Sequence, residues 1–182
     1  MQIDPLPLPG LARLTPRRHG DARGWFAEVF RDDLFRAQVA DVTFVQENRS
    51  LSAKAGTLRG LHFQTPPRAQ GKLISCLAGS LWDVAVDLRR SSETYGQWYG
   101  EELSAENGRQ LWIPAGFAHG FCTLKPDTVI GYKCTDTYAP DHDAGIAWDS
   151  AGIDWPDRAD PDTLSGKDRA QPSLSELGEV FA

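Results

Sequence analysis

The chain of 182 residues is 41% hydrophobic and 24% charged, the composition of an ordinary globular protein with enough residues for one substantial core. Its formal net charge of -6 argues against nonspecific binding to nucleic acid, because that binding depends on excess positive charge. No stretch approaches the roughly 18 apolar residues of a membrane span, and no apolar leader opens the sequence, so we expect a cytoplasmic protein.

The N-terminal stretch 1–20 is rich in proline, which restricts the backbone and removes hydrogen-bond donors. We therefore expect an extended arm that either pairs with the body of the protein or swaps onto a second subunit. The stretch 32–39 that follows is predicted to form one short helix.

Between residues 43 and 148 the chain consists of short apolar runs broken by turns, the pattern of antiparallel strands. The runs 72–77 and 81–88 flank the sequence Ala-Gly-Ser, which predicts a β-hairpin. Further strands are predicted at 110–113, 118–124 and 128–135. Short, evenly spaced strands of this kind predict an all-β sandwich or jelly roll.

The tail 149–182 is polar and rich in proline, and we expect it to wrap the body, with a short helix near 173–177. Because the sequence contains no internal repeat and no low-complexity linker, residues 1–182 are interpreted as a single domain. Its core is expected at about 43–148, between the arm and the tail.

Three cysteines, Cys76, Cys122 and Cys134, stand in apolar runs and share no metal-binding or redox spacing. Their number is odd, which leaves at least one without a partner in the chain. Buried free thiols in a reducing cytoplasm are the favoured interpretation.

Two segments carry histidines at spacings that resemble the two sequence motifs of the cupin superfamily, whose members are jelly-roll barrels. The first contains His62 and Gln64, and the second contains Gly116 and His119. In metal-binding cupins such positions supply about three histidines and one glutamate. Here glutamine replaces the second histidine and no glutamate follows, which leaves a poor zinc or iron site. We therefore expect no metal, and His62 is free for acid–base chemistry.

A lone histidine in an apolar strand is most often a hydrogen-bonded core residue, and that interpretation competes for His62. However, Arg59, Gln64, Gln70 and Lys72 stand close to it in the sequence. Burying so many polar groups with no ligand to satisfy them would be costly. The surroundings of His62 therefore favour a ligand-binding cleft.

Several segments in order resemble the dTDP-4-dehydrorhamnose 3,5-epimerase family, and together they span nearly the whole chain. They are residues 21–28, 46–48, 56–64, 83–87, 116–121, 132, 138–140 and 164–168. The resemblance implies a cupin-type jelly-roll barrel that converts dTDP-4-dehydro-6-deoxy-D-glucose into dTDP-4-dehydro-β-L-rhamnose, a step towards dTDP-L-rhamnose. It also implies a homodimer and a reaction that needs no cofactor, because the C4 ketone acidifies the hydrogens on C3 and C5.

The resemblance assigns four catalytic roles. His62 matches the base, and Asp168 matches the carboxylate that fixes its tautomer and stabilises the imidazolium. Lys72 is placed to stabilise the enolate oxygen. Tyr132 matches the acid that reprotonates C5. Without the resemblance, Tyr132 would be read as a strand aromatic and Asp168 as a solvated charge in the tail.

The resemblance also implies a set of substrate-binding residues. Arg23, Arg59 and His119 form the expected diphosphate site, to which Arg contributes a planar fork of donors. The remaining expected contacts to the nucleotide sugar are Phe26, Glu28, Gln46, Asn48, Tyr138, Asp143 and Lys167. Among these, Phe26 could equally be a core residue, and Asp143 is one carbon shorter than the glutamate it would replace.

Arg59 and His62 are both expected at the ligand, although side chains three positions apart on a regular strand point to opposite faces. A bulge near Gly60, or an exit of Arg59 at the mouth of the barrel, would reconcile the two expectations. We therefore predict an irregular strand at 57–60.

Three alternatives stay open from the sequence. A relative with the same scaffold could epimerise only C3 or only C5 of an unusual deoxysugar. A metal-dependent cupin oxygenase or isomerase would need the ligands that Gln64 and the missing glutamate deny it. A cupin that binds sugar nucleotides without catalysis would exchange no protons.

Overall fold

A computed structural model describes residues 1–182, and short β-strands are its main regular structure. The first sheet contains β1 (Gln2–Pro5), β2 (Ala12–Thr15), β5 (Gln46–Ser52), β7 (Lys72–Ala78), β10 (Gln110–Ile113) and β12 (Thr128–Cys134). Its strands lie in the order β1-β2-β10-β7-β12-β5, and every pair is antiparallel.

The second sheet faces the first across the core. It contains β6 (Leu58–Gln64), β8 (Ser80–Asp87), β9 (Trp98–Ser104), β11 (Phe117–Thr123) and β13 (Asp143–Gly145), in the order β13-β6-β11-β8-β9. A separate hairpin is formed by β3 (His19–Asp21) and β4 (Gly24–Phe26), which pair with neither large sheet. The prediction of an all-β jelly roll is confirmed.

The helices are short and peripheral. They are α1 (Asp32–Gln38), α2 (Gly166–Arg169) and the 3-10 turns Pro140–His142 and Pro161–Thr163. The prediction of α1 is confirmed, and its buried Phe35 packs edge-on against Trp112 with ring centroids 5.1 Å apart. Neither helix has the length or the apolar character that crossing a membrane would require.

The predicted hairpin at 72–88 is wrong. β7 pairs with β10 and β12 in the first sheet, whereas β8 pairs with β9 and β11 in the second. Gly79, in the left-handed region at φ +74°, therefore carries the chain from one sheet to the other. Two apolar runs joined by a tight turn are compatible either with a hairpin or with a turn between two sheets. The choice depends on the strands that pair with β7 and β8, most of which lie far away in the sequence.

At the two ends of the chain, one expectation is met and one is wrong. Residues 1–20 pair with the body of the same chain, which is one of the two forms expected for them: β1 pairs with β2, and β2 pairs with β10. This pairing buries Leu8, Leu11 and Leu14. Residues 173–177 form a turn instead of the predicted helix, while α2 was not predicted.

The space between the two sheets is filled by apolar side chains. Ile74 and Leu111 of the first sheet meet Ala85 and Leu103 of the second, and all four are fully buried. Each fully buried aliphatic side chain of this size contributes about 1.5–3 kcal/mol. The outer face of the second sheet is covered by the tail, whose Phe181 packs against Phe63.

All three cysteines are buried and unpaired, which confirms the prediction of free thiols. Burial raises the pKa of the Cys76 and Cys122 thiols to about 11, so neither ionises near neutral pH. Their surroundings give them the character of small core residues.

Asp87, at the end of β8, holds the loop that follows the strand. Its fully buried carboxylate accepts hydrogen bonds from the Arg89 guanidinium at 2.7 and 2.9 Å and from the Ser92 and Thr94 hydroxyls at 2.6 Å. Burial is the largest single influence and opposes ionisation, but these hydrogen bonds together outweigh it and lower the pKa of Asp87 to about 2.

Asp87→Asn should therefore change how stability depends on pH. Because the folded pKa lies below the unfolded value, ionised Asp87 stabilises the fold above about pH 4, and that contribution is lost as the pH falls towards 2. The shift corresponds to about 2 kcal/mol. In urea unfolding, the difference between wild type and Asp87→Asn should shrink by about this amount between pH 5 and pH 2. Asp157→Asn, at an exposed position, is the matched control, and an equal pH dependence in both variants would contradict the assignment.

Candidate active site

The site is a cleft between the two sheets, and it has two adjoining lobes. His62, Lys72 and Tyr132 line both lobes. The first lobe is completed by Gln46, Asn48, Phe63, Gln64, Gln70, Tyr138, Asp143, Ser165, Lys167 and Asp168. The second lobe is completed by Ser50, Arg59, His119, Gly120, Phe121 and Ile130.

His62 is paired with a carboxylate, as the resemblance implied. Its Nε2 lies 2.5 Å from Oδ1 of Asp168, while its Nδ1 has no protein partner. Because a carboxylate accepts hydrogen bonds, Nε2 carries the proton and Nδ1 is left to accept one. One third of the His62 side chain is exposed, so a ligand can reach it.

The chain around Asp168 keeps it ionised. Ser165 caps α2, because its Oγ accepts a hydrogen bond from the Asp168 backbone N–H at 3.1 Å. Burial opposes ionisation most strongly, yet hydrogen bonds from His62 and Ser165 outweigh it and hold the pKa of Asp168 below its usual value. A buried anion is therefore in place to stabilise an imidazolium.

Lys72 and Tyr132 reach the cleft from the first sheet, opposite His62. Tyr132 on β12 pairs with Ile74 of β7, and Lys72 pairs with Cys134, so strand alternation turns both side chains inward. Burial lowers the pKa of the Lys72 ammonium. Burial also raises the pKa of the Tyr132 hydroxyl, which therefore stays protonated at neutral pH and can donate its proton.

The predicted irregularity at 57–60 is confirmed at Gly60. His62 and Arg59 are three positions apart on β6, but they pair with His119 and Phe121, which are two positions apart on β11. β6 thus holds one extra residue, and Gly60 takes φ +117° to accommodate it. The bulge places Arg59 beside His62 in the second lobe.

Gly60→Ala should damage both stability and ligand binding. An added Cβ would lie 2.6 Å from the Gly120 Cα and 2.8 Å from the His119 carbonyl oxygen, with no flexible side chain to yield. We expect a loss of at least about 2 kcal/mol in urea unfolding and weaker dTDP binding, because β6 must move.

Gly152→Ala is the matched control for that substitution. Gly152 has φ +65° but open space around the position of a Cβ, so it isolates the backbone cost of about 1 kcal/mol. Equal losses in the two variants would show that close packing at the bulge is unimportant.

The hydrogen bonds of Gln64 explain why an amide stands at this position, which resembles a metal-ligand position of the metal-binding cupins. Its Nε2 donates to the Arg68 carbonyl at 2.6 Å, and its Oε1 accepts from the Ala139 N–H at 2.9 Å. The side chain thereby joins two loops at the cleft and is unsuited to bind a cation. No three His, Cys, Asp or Glu side chains come together with metal-binding geometry, so the residues present do not fit a metal.

Polar contacts connect several predicted substrate-binding residues that line the first lobe. The Tyr138 hydroxyl donates to Asp143 Oδ2 at 2.9 Å, and the Lys167 ammonium pairs with the same oxygen. Gln46 accepts a hydrogen bond from the Tyr138 backbone N–H at 2.8 Å and donates to Asn48 at 3.1 Å.

Three predicted substrate-binding residues lie outside this cleft. Arg23 on the β3–β4 hairpin pairs with Asp21 at 2.6 Å, and Phe26 on the same hairpin is 72% exposed. Glu28 is exposed and lies 4.0 Å from Arg31. The expectation that Arg23 joins Arg59 and His119 is not met within one chain, because the hairpin pairs with neither large sheet.

Two residues that shape the site were not given roles from the sequence. Ser165 stands three residues before Asp168, the spacing of a helix capping box, so a local pattern was available. Asp83 contacts His119 and is buried in β8. Its only clue was a carboxylate within an apolar run, which requires a partner.

Comparison with known proteins identifies the family. The family model for dTDP-4-dehydrorhamnose 3,5-epimerase matches residues 5–176. The dTDP-4-dehydrorhamnose 3,5-epimerase of Sinorhizobium fredii is 56% identical over 100% of this chain and 93% of its own.

Two solved structures share the fold along nearly the whole chain. The epimerase of Bacillus anthracis, with TDP and PPi bound, has a TM-score of 0.90 and 45% identity, covering 94% of this chain and 98% of its own. The dTDP-6-deoxy-D-glucose-3,5-epimerase of Legionella pneumophila, in complex with dTDP-4-keto-L-rhamnose, has a TM-score of 0.90 and 42% identity, covering 97% and 94%. The fold is thus the cupin-type jelly roll, and the chain belongs to the dTDP-4-dehydrorhamnose 3,5-epimerase family.

Proposed function

We propose that this protein epimerises C3 and C5 of dTDP-4-dehydro-6-deoxy-D-glucose to give dTDP-4-dehydro-β-L-rhamnose, in the biosynthesis of dTDP-L-rhamnose. The observation that carries the proposal is the placement of His62 and Tyr132 on opposite walls of one cleft. Inversion at carbon requires a base on one face and an acid on the other, and the two sheets supply one each.

The reaction needs only this chain's side chains and water. His62 takes the proton α to the C4 ketone through Nδ1, and Asp168 stabilises the resulting imidazolium. The Lys72 ammonium stands by the enolate oxygen as negative charge develops there. The Tyr132 hydroxyl returns a proton to C5 from the opposite face, and a water molecule returns one to C3. His62 releases each abstracted proton to solvent before the next abstraction, and the Tyr132 phenolate recovers its proton from solvent. No metal or organic cofactor enters these steps.

The substrate's nucleotide and diphosphate are assigned to the polar lining of the cleft. Arg59 and His119 in the second lobe are the proposed donors to the diphosphate. The proposed contacts in the first lobe are Gln46, Asn48, Tyr138, Asp143 and Lys167. Lys167 must exchange its pairing with Asp143 for the ligand, at least in part, if it contacts the substrate directly.

The activity is tested by incubation with the keto-sugar nucleotide in deuterated water. Deuterium at both C3 and C5, with formation of the L-configured product, supports the double epimerase. Deuterium at one carbon only would favour a single epimerase, and no exchange at either carbon would favour a binding protein. A stoichiometric metal in the purified active protein would contradict the metal-free mechanism.

We also propose a homodimer in which the β3–β4 hairpin of each chain reaches the cleft of the other. Arg23 and Phe26 on that hairpin, with Glu28 beyond it, are then the proposed contacts from the second chain. Exposed Val29 and Leu77 beside a groove on the outer face of the first sheet support an association there, because burying them is favourable.

Complementation tests this arrangement. We expect the Arg23→Ala and His62→Asn variants to be inactive when each is tested alone. In a mixed dimer, one of the two sites combines the intact cleft of the Arg23→Ala chain with the intact hairpin of the His62→Asn chain. That site should be active. Random mixing should restore about a quarter of the wild-type activity. No restoration, despite mixed dimers seen by mass spectrometry, would contradict a shared site.

The proposed compartment is the cytoplasm. Three free cysteines with no disulfide are what a reducing compartment favours. Fractionation of cells with an antibody against the chain tests this assignment, and recovery outside the cytoplasmic fraction would contradict it.

A further inference from the structure

Asp83 is a buried carboxylate that the steps above do not use. It lies on β8, and its side chain is completely buried. Its Oδ1 lies 2.7 Å from Nε2 of His119, while its Oδ2 has no hydrogen-bond partner. Burial of a carboxylate with so few partners is unfavourable unless a neighbouring cation offsets its charge.

The contact between Asp83 and His119 repeats the one between Asp168 and His62. The two histidines are direct partners in the pairing of β6 with β11, and both line the second lobe. Each ring places Nε2 on a carboxylate oxygen, and each Nδ1 has no protein partner. The carboxylates come from different elements, Asp168 from α2 and Asp83 from β8.

This geometry fixes which nitrogen of His119 is available to a ligand. Since Asp83 can only accept, the Nε2 of His119 carries a proton and Nδ1 is the atom left for the ligand. Arg59 lines the same lobe, so an anion there would meet a guanidinium and an imidazole together. A His119 ring between a buried carboxylate and a bound phosphate would donate to both when both nitrogens are protonated.

We propose that Asp83 is a positioning residue that holds His119 as a donor to the substrate's diphosphate. This inference rests on the proposed function, from which the diphosphate site is taken. Asp83 touches neither the sugar nor the nucleotide. Asp83 acts by orienting the His119 ring and favouring its protonated form. Asp168 differs in that it supports the proposed base, His62, during proton abstraction.

Binding of dTDP, measured by calorimetry, tests the inference without any turnover. We expect Asp83→Asn to weaken dTDP binding about tenfold, the size of effect typical for a charged hydrogen bond. His119→Asn should weaken it at least as much. The double variant should be no weaker than His119→Asn alone, because Asp83 acts only through that ring. Glu101→Gln, at a buried carboxylate of β9 that lines neither lobe of the cleft, is the matched control and should bind dTDP like wild type.

A spectroscopic measurement on the wild-type protein covers the case in which Asp83→Asn folds poorly. In the dTDP complex labelled with ¹⁵N-histidine, His119 should carry protons on both ring nitrogens. A neutral His119 in that complex, wild-type dTDP affinity in Asp83→Asn, or additive effects in the double variant would overturn the inference. Failure of the wild type to exchange deuterium would contradict the epimerase proposal, while dTDP binding would still report on Asp83.

Discussion

His62→Asn should abolish deuterium incorporation at both C3 and C5 of the keto-sugar nucleotide. Asparagine retains a donor for Asp168 but has no basic nitrogen, so the substitution removes the proposed base and keeps the hydrogen bond to the carboxylate. We expect turnover to fall by at least about 10³-fold, near the upper end of the range for acid–base groups. The measurement is NMR detection of exchange at each carbon, together with dTDP binding, which should be nearly unchanged.

Asp168→Asn should cause a smaller loss of turnover than His62→Asn. It leaves His62 in place but frees its tautomer and removes the anion that stabilises the imidazolium, so a loss of about 10²-fold is expected. Exchange should persist slowly at both carbons. If His62→Asn instead kept exchange at one carbon, a second base would have to serve that carbon.

Some of the strands that form the site, such as β7, β11 and β12, could be predicted from the sequence, because strand geometry has a period of two. Lys72 on β7 shares a face with buried Ile74, and Asn48 lies on the less exposed of the two alternating faces of β5. The irregularity at Gly60 could also be predicted, because Arg59 and His62 cannot both serve one ligand on a regular strand. The requirement that both side chains contact one ligand was therefore enough to predict a bulge in the backbone.

Pairing between distant segments could not be predicted from local patterns. The turn at Gly79 was interpreted as a hairpin, because the partners of β7 and β8 are decided by packing across the whole chain. Asp168 is 106 residues from His62, and only the resemblance to a family connected them. A short helix was expected at 173–177, whereas this segment forms a turn in which Leu174 and Leu177 contact the body of the protein.

The placement of Arg23 shows a different limit. Family resemblance groups segments of this chain into one site but contains no statement about which copy of the chain supplies each one. The exposed β3–β4 hairpin separates Arg23 from Arg59 within a single chain. A site shared between two chains is therefore indistinguishable, at the level of sequence, from one built within a single chain.

Tyr132→Phe should separate exchange from inversion at C5. The substitution removes the proposed acid but leaves His62, Asp168 and Lys72 in place, so the C5 proton should still leave and deuterium should return from the His62 face. We expect C5 to become deuterated with its original configuration, and formation of the L-configured product to fall by about 10²–10⁴-fold. NMR of the recovered sugar nucleotide distinguishes the two configurations at C5.

Two further variants make this separation decisive. Tyr99→Phe, at a tyrosine on β9 outside the cleft, should leave both exchange and inversion intact. Lys72→Met should instead slow exchange at both carbons, because it removes the cation proposed to stabilise the enolate oxygen that both abstractions share. Complete loss of exchange in Tyr132→Phe would match the lysine variant. The hydroxyl would then stabilise the enolate, and the proton returned to C5 would have to come from another donor on the wall of the first sheet.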